Sequence, residues 1–405
     1  GYGLCLTADH PVQRLVAATR YRRCFEWVPA ARLRPGDQVL LNEHGAALSW
    51  GGAHGFEEGY LIGLLIGDGT LKEDKAVLSA WPGQAVANAP AERPGVLGLM
   101  AEAERAARTL PNRSDFAGWM AVPGRGEHRL VIASMRRLAL SLGLRPGAKT
   151  ITPAIERNSS DFHRGVLKGL FDSDGSVQGT QAKGVSIRLA QSDAALLAAA
   201  QRMLLRLGIP STIYRDRRRE GSTLLPDGRG GRRDYPTAAQ HELVISGEAV
   251  RIFAQRIGFA DTDKAGRLAA LLAAYKRAPN RLKALATVRA IEPAGEEEVF
   301  DVQIPGANAF DANGFVVHNC GEQPLPPYGA CLLGSINLAK LVARPFEADA
   351  ALDLEELERI VPLAVRMMDN VTDVSRFPLE AQLAEALAKR RIGLGVTGLA
   401  DALIL

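Results

Sequence analysis

Tyr60-Leu-Ile-Gly-Leu-Leu-Ile-Gly-Asp-Gly-Thr70 returns further along the chain as Val166-Leu-Lys-Gly-Leu-Phe-Asp-Ser-Asp-Gly-Ser176. The duplication decides the fold, because a repeated unit that cannot bury its own apolar face packs against its copy. Small residues four apart, Gly63/Gly67 and Gly169/Ser173, fall on one face of a helix and let two helices approach closely. Gly69 and Gly175 then end the helices. Each helix foot presents one carboxylate, Asp68 or Asp174, and pseudo-twofold packing brings the two together. Adjacent carboxylates disfavour each other's ionised form unless a divalent cation sits between them, which makes Mg²⁺ the natural partner and Asp68 and Asp174 the candidate metal ligands. Metals held there would activate water and stabilise a leaving oxygen in phosphodiester cleavage. One copy alone reads as a turn after a buried helix; two copies in one framework read as a site.

Outward from the repeats, Ala/Leu/Arg-rich stretches at 98–110, 128–144, 193–207, 248–257 and 264–277 carry helical spacing. Ser134–Leu144 has a loose echo in 193–209, which ends Leu-Gly-Ile. Short apolar runs at Leu4–Leu6, Val12–Ala17 and Val39–Leu41, and again at Ala286–Ile291, Val299–Ile304 and Phe315–Val317, predict strands. A small all-β unit is thus interrupted by an α/β insertion. After Cys320 a Pro-rich turn leads to helical patterns at 353–370 and 379–390.

The chain is 47% hydrophobic and 23% charged, a globular composition, and no apolar run approaches the roughly 18 residues a membrane span needs, so no membrane partner is expected. Four cysteines in 405 residues exclude a secreted disulfide scaffold and point to a reducing, cytoplasmic setting. A start at Gly1 and a stop at Leu405 after an apolar pattern suggest a fragment. Residues 1–319 hold 41 Lys and Arg against 33 Asp and Glu (+8), whereas 320–405 hold 8 against 12 (−4). Only the first part favours a polyanionic partner.

Over about residues 56–280 the repeats resemble the LAGLIDADG homing endonuclease family. That resemblance implies double-stranded DNA as partner, with the last acidic position of each motif, Asp68 and Asp174, binding the catalytic metal. Asp172 also lies in the second motif, but Ile66 stands at its place in the first, which makes it a weaker candidate. Lys149-Thr-Ile-Thr-Pro153 resembles the lysine block before the family's second motif, and Lys264, after Ile257-Gly-Phe259, takes the corresponding place in the second half. Either ammonium could stabilise charge on the phosphorane, or be a surface lysine. Seven arginines between Arg215 and Arg233, flanked by Tyr214 and Tyr235, suit phosphate contacts from a loop or hairpin, and equally suit a solvated charged loop diluted by Asp216, Glu220, Asp227 and Asp234.

Thr7-Ala-Asp-His10 at one end and Phe310-Asp-Ala-Asn-Gly-Phe-Val-Val-His-Asn-Cys320 at the other resemble the Hint fold of inteins. In that family the Thr-x-x-His motif, here Thr7 and His10, holds the upstream scissile peptide, and an acidic position matched by Asp301 helps in later steps. An Asn side-chain amide can attack its own backbone carbonyl, so Asn319 would cyclise and cut the chain with His318 as proton donor. Cys320 supplies the thiol that receives the upstream segment. Asn308 stands where many relatives have a His, and the family's opening nucleophile has no counterpart, since Cys5 sits in the run leading to Thr7. Cleavage at Asn319, without complete splicing, is therefore the most this chain is expected to do.

Cys320-Gly-Glu-Gln-Pro-Leu-Pro-Pro-Tyr-Gly-Ala-Cys331, with Arg390-Arg-Ile-Gly-Leu-Gly-Val-Thr-Gly-Leu-Ala-Asp401, resembles the active-site loop and following barrel of adenosylcobalamin-dependent (class II) ribonucleotide reductase. The resemblance implies that Cys320 carries a thiyl radical, Glu322 serves the 3′-hydroxyl of the nucleotide substrate, and Cys331 is one redox thiol. Without that context Cys331 reads as a small buried hydrophobe. The adenosylcobalamin site is expected outside this chain, and no reductase activity is expected of the fragment.

The expected architecture is multidomain: an all-β, horseshoe-like Hint domain in two pieces (1–55 and 285–319), split by an α+β pseudo-twofold LAGLIDADG endonuclease (56–284), then an α/β piece of reductase barrel (320–405). A degenerate element that folds without cutting DNA is the alternative.

Overall fold

The computed structural model describes residues 2–19, 22–44, 49–83, 94–180, 184–226, 232–275, 284–297, 299, 309–318, 325 and 328–405. Asp301, Asn308, Asn319, Cys320 and Glu322, and most of the strand expected at 299–304, lie outside them. Packing divides the chain into two units, Gly1–Asn319 and Cys320–Leu405.

In the first unit β1 (Pro11–Ala18), β2 (Arg23–Pro29) and β3 (Gln38–Leu40) open the chain. α1 (Phe56–Gly67) begins the insertion, followed by β4 (Thr70–Leu71), β5 (Ala76–Ala80), α2 (Pro94–Thr109), β6 (Met120–Val122), β7 (Glu127–Val131) and α3 (Ala133–Ser141). A single turn, α4 (Pro153–Glu156), leads to the second half: α5 (Ser160–Asp174), β8 (Gly175–Thr180), β9 (Gly184–Gln191), α6 (Ala194–Arg206), β10 (Thr212–Arg218), β11 (Gly221–Pro226), β12 (Arg232–Thr237), β13 (Gln240–Ser246) and α7 (Ala249–Arg256). α8 (Thr262–Ala274), β14 (Leu285–Thr287), β15 (Ala309–Ala312) and β16 (Phe315–His318) complete it.

The insertion is a doubled α-β-β-α-β-β-α unit. The first half forms an antiparallel sheet in the order β4-β5-β7-β6, and the second repeats it as β8-β9-β13-β10, with the β11-β12 hairpin added between β10 and β13. Helix starts are set by side-chain caps: Ser159 accepts from the Phe162 amide at 3.0 Å, and Asp193 accepts from Ala195 and Leu196 at 2.8 and 3.1 Å. One continuous core holds α1, α5, α6 and both sheets; Leu61, Leu65, Phe162, Leu170 and Leu197 are fully buried in it. Burial of each such side chain is worth roughly 1.5–3 kcal/mol.

Three expectations are corrected. Residues 128–131 are strand β7, because Leu130 alternates with outward neighbours and the helical period starts only at Ala133. The counterpart of α3 is α7, and α6 corresponds to α2; both α3 and α7 follow the second hairpin of their half, so the echo between 134–144 and 193–209 pairs the wrong helices. Leu4–Leu6 is not a strand, yet Leu4 and Leu6 pack against the terminal sheet.

The two ends of the unit meet in one sheet, β14-β3-β1-β16-β15, with β2 on the free side of β1. Val12 pairs with Val317 across β1 and β16, and Val39 pairs with Ala286 across β3 and β14. Strands from before and after the insertion therefore close into one sheet. Its core of Val12, Val28, Val39, Leu41, Phe315 and Val317 also takes in Leu205 from α6, which lies against Gly314 in the β15–β16 turn.

The second unit contains β17 (Leu332–Asn337), β18 (Val342–Ala343), β19 (Ala351–Leu352), α9 (Leu354–Val374), α10 (Glu380–Lys389), β20 (Ile392–Thr397) and α11 (Leu399–Ile404). β17 and β20 run parallel, joined through the helices, and Met368 of α9 packs on Gly334 of β17. This is the α/β texture expected after Cys320. Among the described residues no helix is long and apolar enough to cross a membrane.

Candidate functional site

The site is made by how closely α1 and α5 approach. A Cβ on Gly59 or Gly63 would strike the carbonyl of Phe162 or Val166; one on Gly165 or Gly169 would strike the carbonyl of Phe56 or Tyr60. The expected stripe is thus one turn longer on each helix, and the i, i+4 glycines Gly59 and Gly165 carried that signal in the sequence. At the lower end a Cβ on Gly67 would meet Ser173 and come within 3.0 Å of an Asp174 carboxylate oxygen. Gly69 and Gly175 do follow the helices, but neither has a positive φ. Their small size matters instead, since a Cβ there would hit the preceding turn at Leu65 or Phe171.

Asp68 caps α1 and is exposed; Asp174 ends α5 and is half-buried. Burial, and then the neighbouring Asp68 charge, push the Asp174 carboxyl up to about 6, against the opposing pull of Lys264, Lys149 and a 2.6 Å hydrogen bond from Gln191 Nε2. The Asp68 charge therefore acts directly on Asp174.

Lys149 and Lys264 are not surface lysines. Lys149 Nζ donates to the carbonyl oxygens of Leu65 (3.1 Å), Gly67 (3.4 Å) and Gly69 at the foot of α1. Lys264 Nζ donates to those of Phe171 (3.1 Å), Asp172 and Ser173 (3.3 Å) at the foot of α5. Each ammonium meets the negative end of a helix dipole and supplies partners for carbonyls that lack them. Burial lowers both lysine pKa values, while Asp68 and Asp174 work against that shift in each case. Each lysine stands six residues beyond a left-handed glycine that ends the preceding helix, Gly143 (φ +87°) or Gly258 (φ +61°).

Asp172 holds structure together. It accepts from the Tyr60 hydroxyl (2.9 Å) and from the Ala260 and Asp261 amides (2.9 and 3.1 Å), and it is buried. Asp261 in turn caps α8, accepting from the Asp263 and Lys264 amides at 3.0 Å. Asp172 therefore fixes the turn that delivers Lys264. Sequence reading missed Tyr60 and Gln191: the tyrosine looks like another apolar helix position, and the glutamine meets Asp174 only through the β8–β9 register.

The arginine run lies on β10 and the β11-β12 hairpin. Arg215, Arg218, Arg219 and Arg233 are exposed, while Arg217 lies 5.5 Å over the Tyr214 ring and 3.4 Å from Glu242. Residues 227–231, among them Asp227 and Arg229, and the side chain of Arg232 lie outside what the structure describes.

At the terminal sheet the Thr7–His10 turn enters β1 where β16 ends, since Val12 pairs with Val317 in antiparallel register. His10 lies edge-on to Phe310 at 6.3 Å, and His318 lies edge-on to Trp27 at 5.0 Å. Thr7 is exposed, and Cys5 is free and exposed. Cys331, in the second unit, is half-buried at the start of β17 with its sulfur 3.8 Å from the Leu332 carbonyl.

Among the described residues no group of three or more His, Cys, Asp and Glu side chains converges as a ready cation cage. A divalent ion at Asp68 and Asp174 would complete its shell with water and substrate oxygens. That suits Mg²⁺, which keeps waters and binds through one or two carboxylates. A cation there would favour the ionised form of Asp174, which burial and the Asp68 charge disfavour.

A family model described as a LAGLIDADG-like domain matches residues 161–258, and one described as the ribonucleotide reductase barrel domain matches residues 261–405. The second match reaches back into α8, whereas packing puts the division at Asn319/Cys320. A vitamin B12-dependent ribonucleoside-diphosphate reductase of Mycobacterium tuberculosis is 45% identical over 100 residues, 25% of this chain and 13% of that protein. The ribonucleoside-diphosphate reductase NrdEB subunit alpha of Bacillus subtilis is 24% identical over 389 residues, 90% of this chain and 34% of that protein. The chain thus spans between about an eighth and a third of these relatives. A crystal structure of I-DmoI in complex with DNA and Mn aligns over 50% of this chain and 96% of its own at 18% identity and TM-score 0.30. This chain therefore joins a LAGLIDADG-like domain to a segment of the ribonucleotide reductase barrel domain.

Proposed function

We propose that residues 56–284 cut double-stranded DNA in a Mg²⁺-dependent hydrolysis at Asp68 and Asp174. One observation carries the reading: two carboxylates meet at the foot of a glycine-packed helix pair, each foot clamped by a half-buried lysine. Mg²⁺ would be held by the two aspartates and would supply Lewis-acid stabilisation of the cleaved phosphodiester. The chain's own part is to hold the two carboxylates in register, to keep Asp174 oriented through Gln191, and to keep both ammonium groups beside the charge that develops. The exposed arginines of β10 and β12 supply phosphate contacts.

The surrounding sheet is read as a Hint splicing domain in two pieces, 1–55 and 285–319. Thr7 and His10 hold the upstream peptide, Asp301 assists, His318 donates the proton as Asn319 cyclises, and Cys320 is the acceptor thiol. Support comes from the closure of both ends into one sheet and from the relative in Bacillus subtilis, whose similarity runs through the insertion into the reductase segment. The host is a B12-dependent ribonucleotide reductase, in which Cys320, Glu322 and Cys331 act on a nucleotide substrate with adenosylcobalamin.

The test is plasmid cleavage with Mg²⁺ by the parent chain, Asp68→Asn and Asp174→Asn. Each substitution is expected to lower double-strand cleavage at least about a hundredfold. Equal activity in all three chains would remove the metal-site reading, and no cleavage by the parent leaves the degenerate element. Mass spectrometry reads the peptide reaction: a break after Asn319 is expected in the parent and lost in Asn319→Ala.

A further inference from the structure

Trp27 is a large, 39% exposed aromatic to which neither the repeats nor the motifs at the two ends of the sheet give a role. It stands on β2, opposite Gln13 of β1, and β1 separates it from β16. Val12, Val28 and Val317 form one row across these three strands and point into the core. Residues one step along from that row face the other side, which puts the Trp27 and His318 rings together outside the core. Their centroids are 5.0 Å apart with planes at 83°, an edge-to-face pair. That geometry is attractive beyond simple area burial and limits how an imidazole can turn about its χ2. His318 is the last residue of β16, where its backbone pairs with Ala309 of β15, and the Trp27 ring is the aromatic contact its imidazole makes among the described residues.

We propose that Trp27 is a positioning residue for His318: by walling one side of the imidazole it holds the ring in the orientation that serves the peptide bond after Asn319. The role rests on the peptide-cleavage reading above. Trp27 acts through His318 and takes no part in the bond changes. The β1–β2 ladder fixes the backbone that carries the indole, and a small misplacement of a proton donor costs rate steeply.

The experiment uses the full chain and two readouts. Cleavage after Asn319 is timed by mass spectrometry in the parent, Trp27→Ala and Trp27→Phe. The imidazole resonances are recorded by NMR in an Asn319→Ala background that keeps the chain whole, with His318→Gln assigning the peak. Expected is a roughly tenfold slowing in Trp27→Ala, recovery to within about twofold in Trp27→Phe, and loss of the ring-current displacement of the His318 signal in Trp27→Ala. A thermal midpoint within a few degrees of the parent separates this from general destabilisation, because loss of the fold would shift every histidine signal and Phe would not rescue selectively. Parent-like cleavage in Trp27→Ala, or an unmoved His318 signal, overturns the role while leaving the cleavage reading intact. A parent chain with no break after Asn319 overturns both.

Discussion

At the foot of α1 Asp68 is exposed, whereas at the foot of α5 Asp174 is half-buried and takes a hydrogen bond from Gln191. The two hairpin registers put Ala80 where Gln191 stands. One position inside each motif, apolar Ile66 is matched by Asp172, which ties Tyr60 and the turn before α8 together. Near the helix starts, Glu57 pairs with Arg105 at the surface, while its counterpart His163 is fully buried beside Trp50. What the halves keep in common is narrower: the glycine stripes, the terminal aspartates and the lysine clamps. Those are the groups that the helix approach and the shared charge require, and even there Ser173 stands in the stripe where the first half has Gly67.

The largest effect should come from the common part. Gly63→Leu and Gly169→Leu each push a side chain into the facing helix backbone, and each is expected to cost about 3 kcal/mol or more, readable by urea unfolding. The comparison breaks if one half accepts the leucine and the other does not.

His163 gives the next effect. Burial holds its imidazole down at about 4, below the ordinary value near 6.5, with Nε2 bound to the Glu156 carbonyl at 3.0 Å. The unfolded chain therefore binds this proton first. The neutral ring contributes its full stability above pH about 6.5, and up to about 3 kcal/mol is lost as pH falls toward 4. His163→Gln should flatten that limb of the urea midpoint against pH. Glu57→Gln, at the matching surface position, should change stability by less than about 1 kcal/mol.

Smallest is the effect of Gln191→Ala, which makes the second foot resemble the first. Removing a donor to the carboxylate should raise the Asp174 midpoint further above about 6, followed by ¹³C titration of the carboxyl, at a stability change of about 1 kcal/mol. A midpoint that falls would mean that Gln191 does not serve the ionised form.

The glycine spacing, the two terminal aspartates and the strand runs at both ends of the first unit were legible in the chain because each is a matter of local period or residue type. So was Lys264, from its place after Ile257-Gly-Phe259. The strand at 128–131 was missed because a short alternating run merges with the helical run behind it. The partnering of α3 with α7 was missed because similar sequence at a helix end, Leu-Gly-Ile against Leu-Gly-Leu, says nothing of topological order.

By itself the sequence determined that two like helices would pack at glycine distance and bring one carboxylate each to a common foot, since periodicity and side-chain size are carried by neighbouring residues. Only the tertiary structure decided what surrounds that foot and what completes the sheet: Gln191 on Asp174, Lys149 and Lys264 on the helix carbonyls, Asp172 on the turn before α8, and Leu205 of α6 inside the core of a sheet built from both chain ends. These contacts join residues far apart along the chain, and they depend on strand register and helix order, which no local pattern encodes.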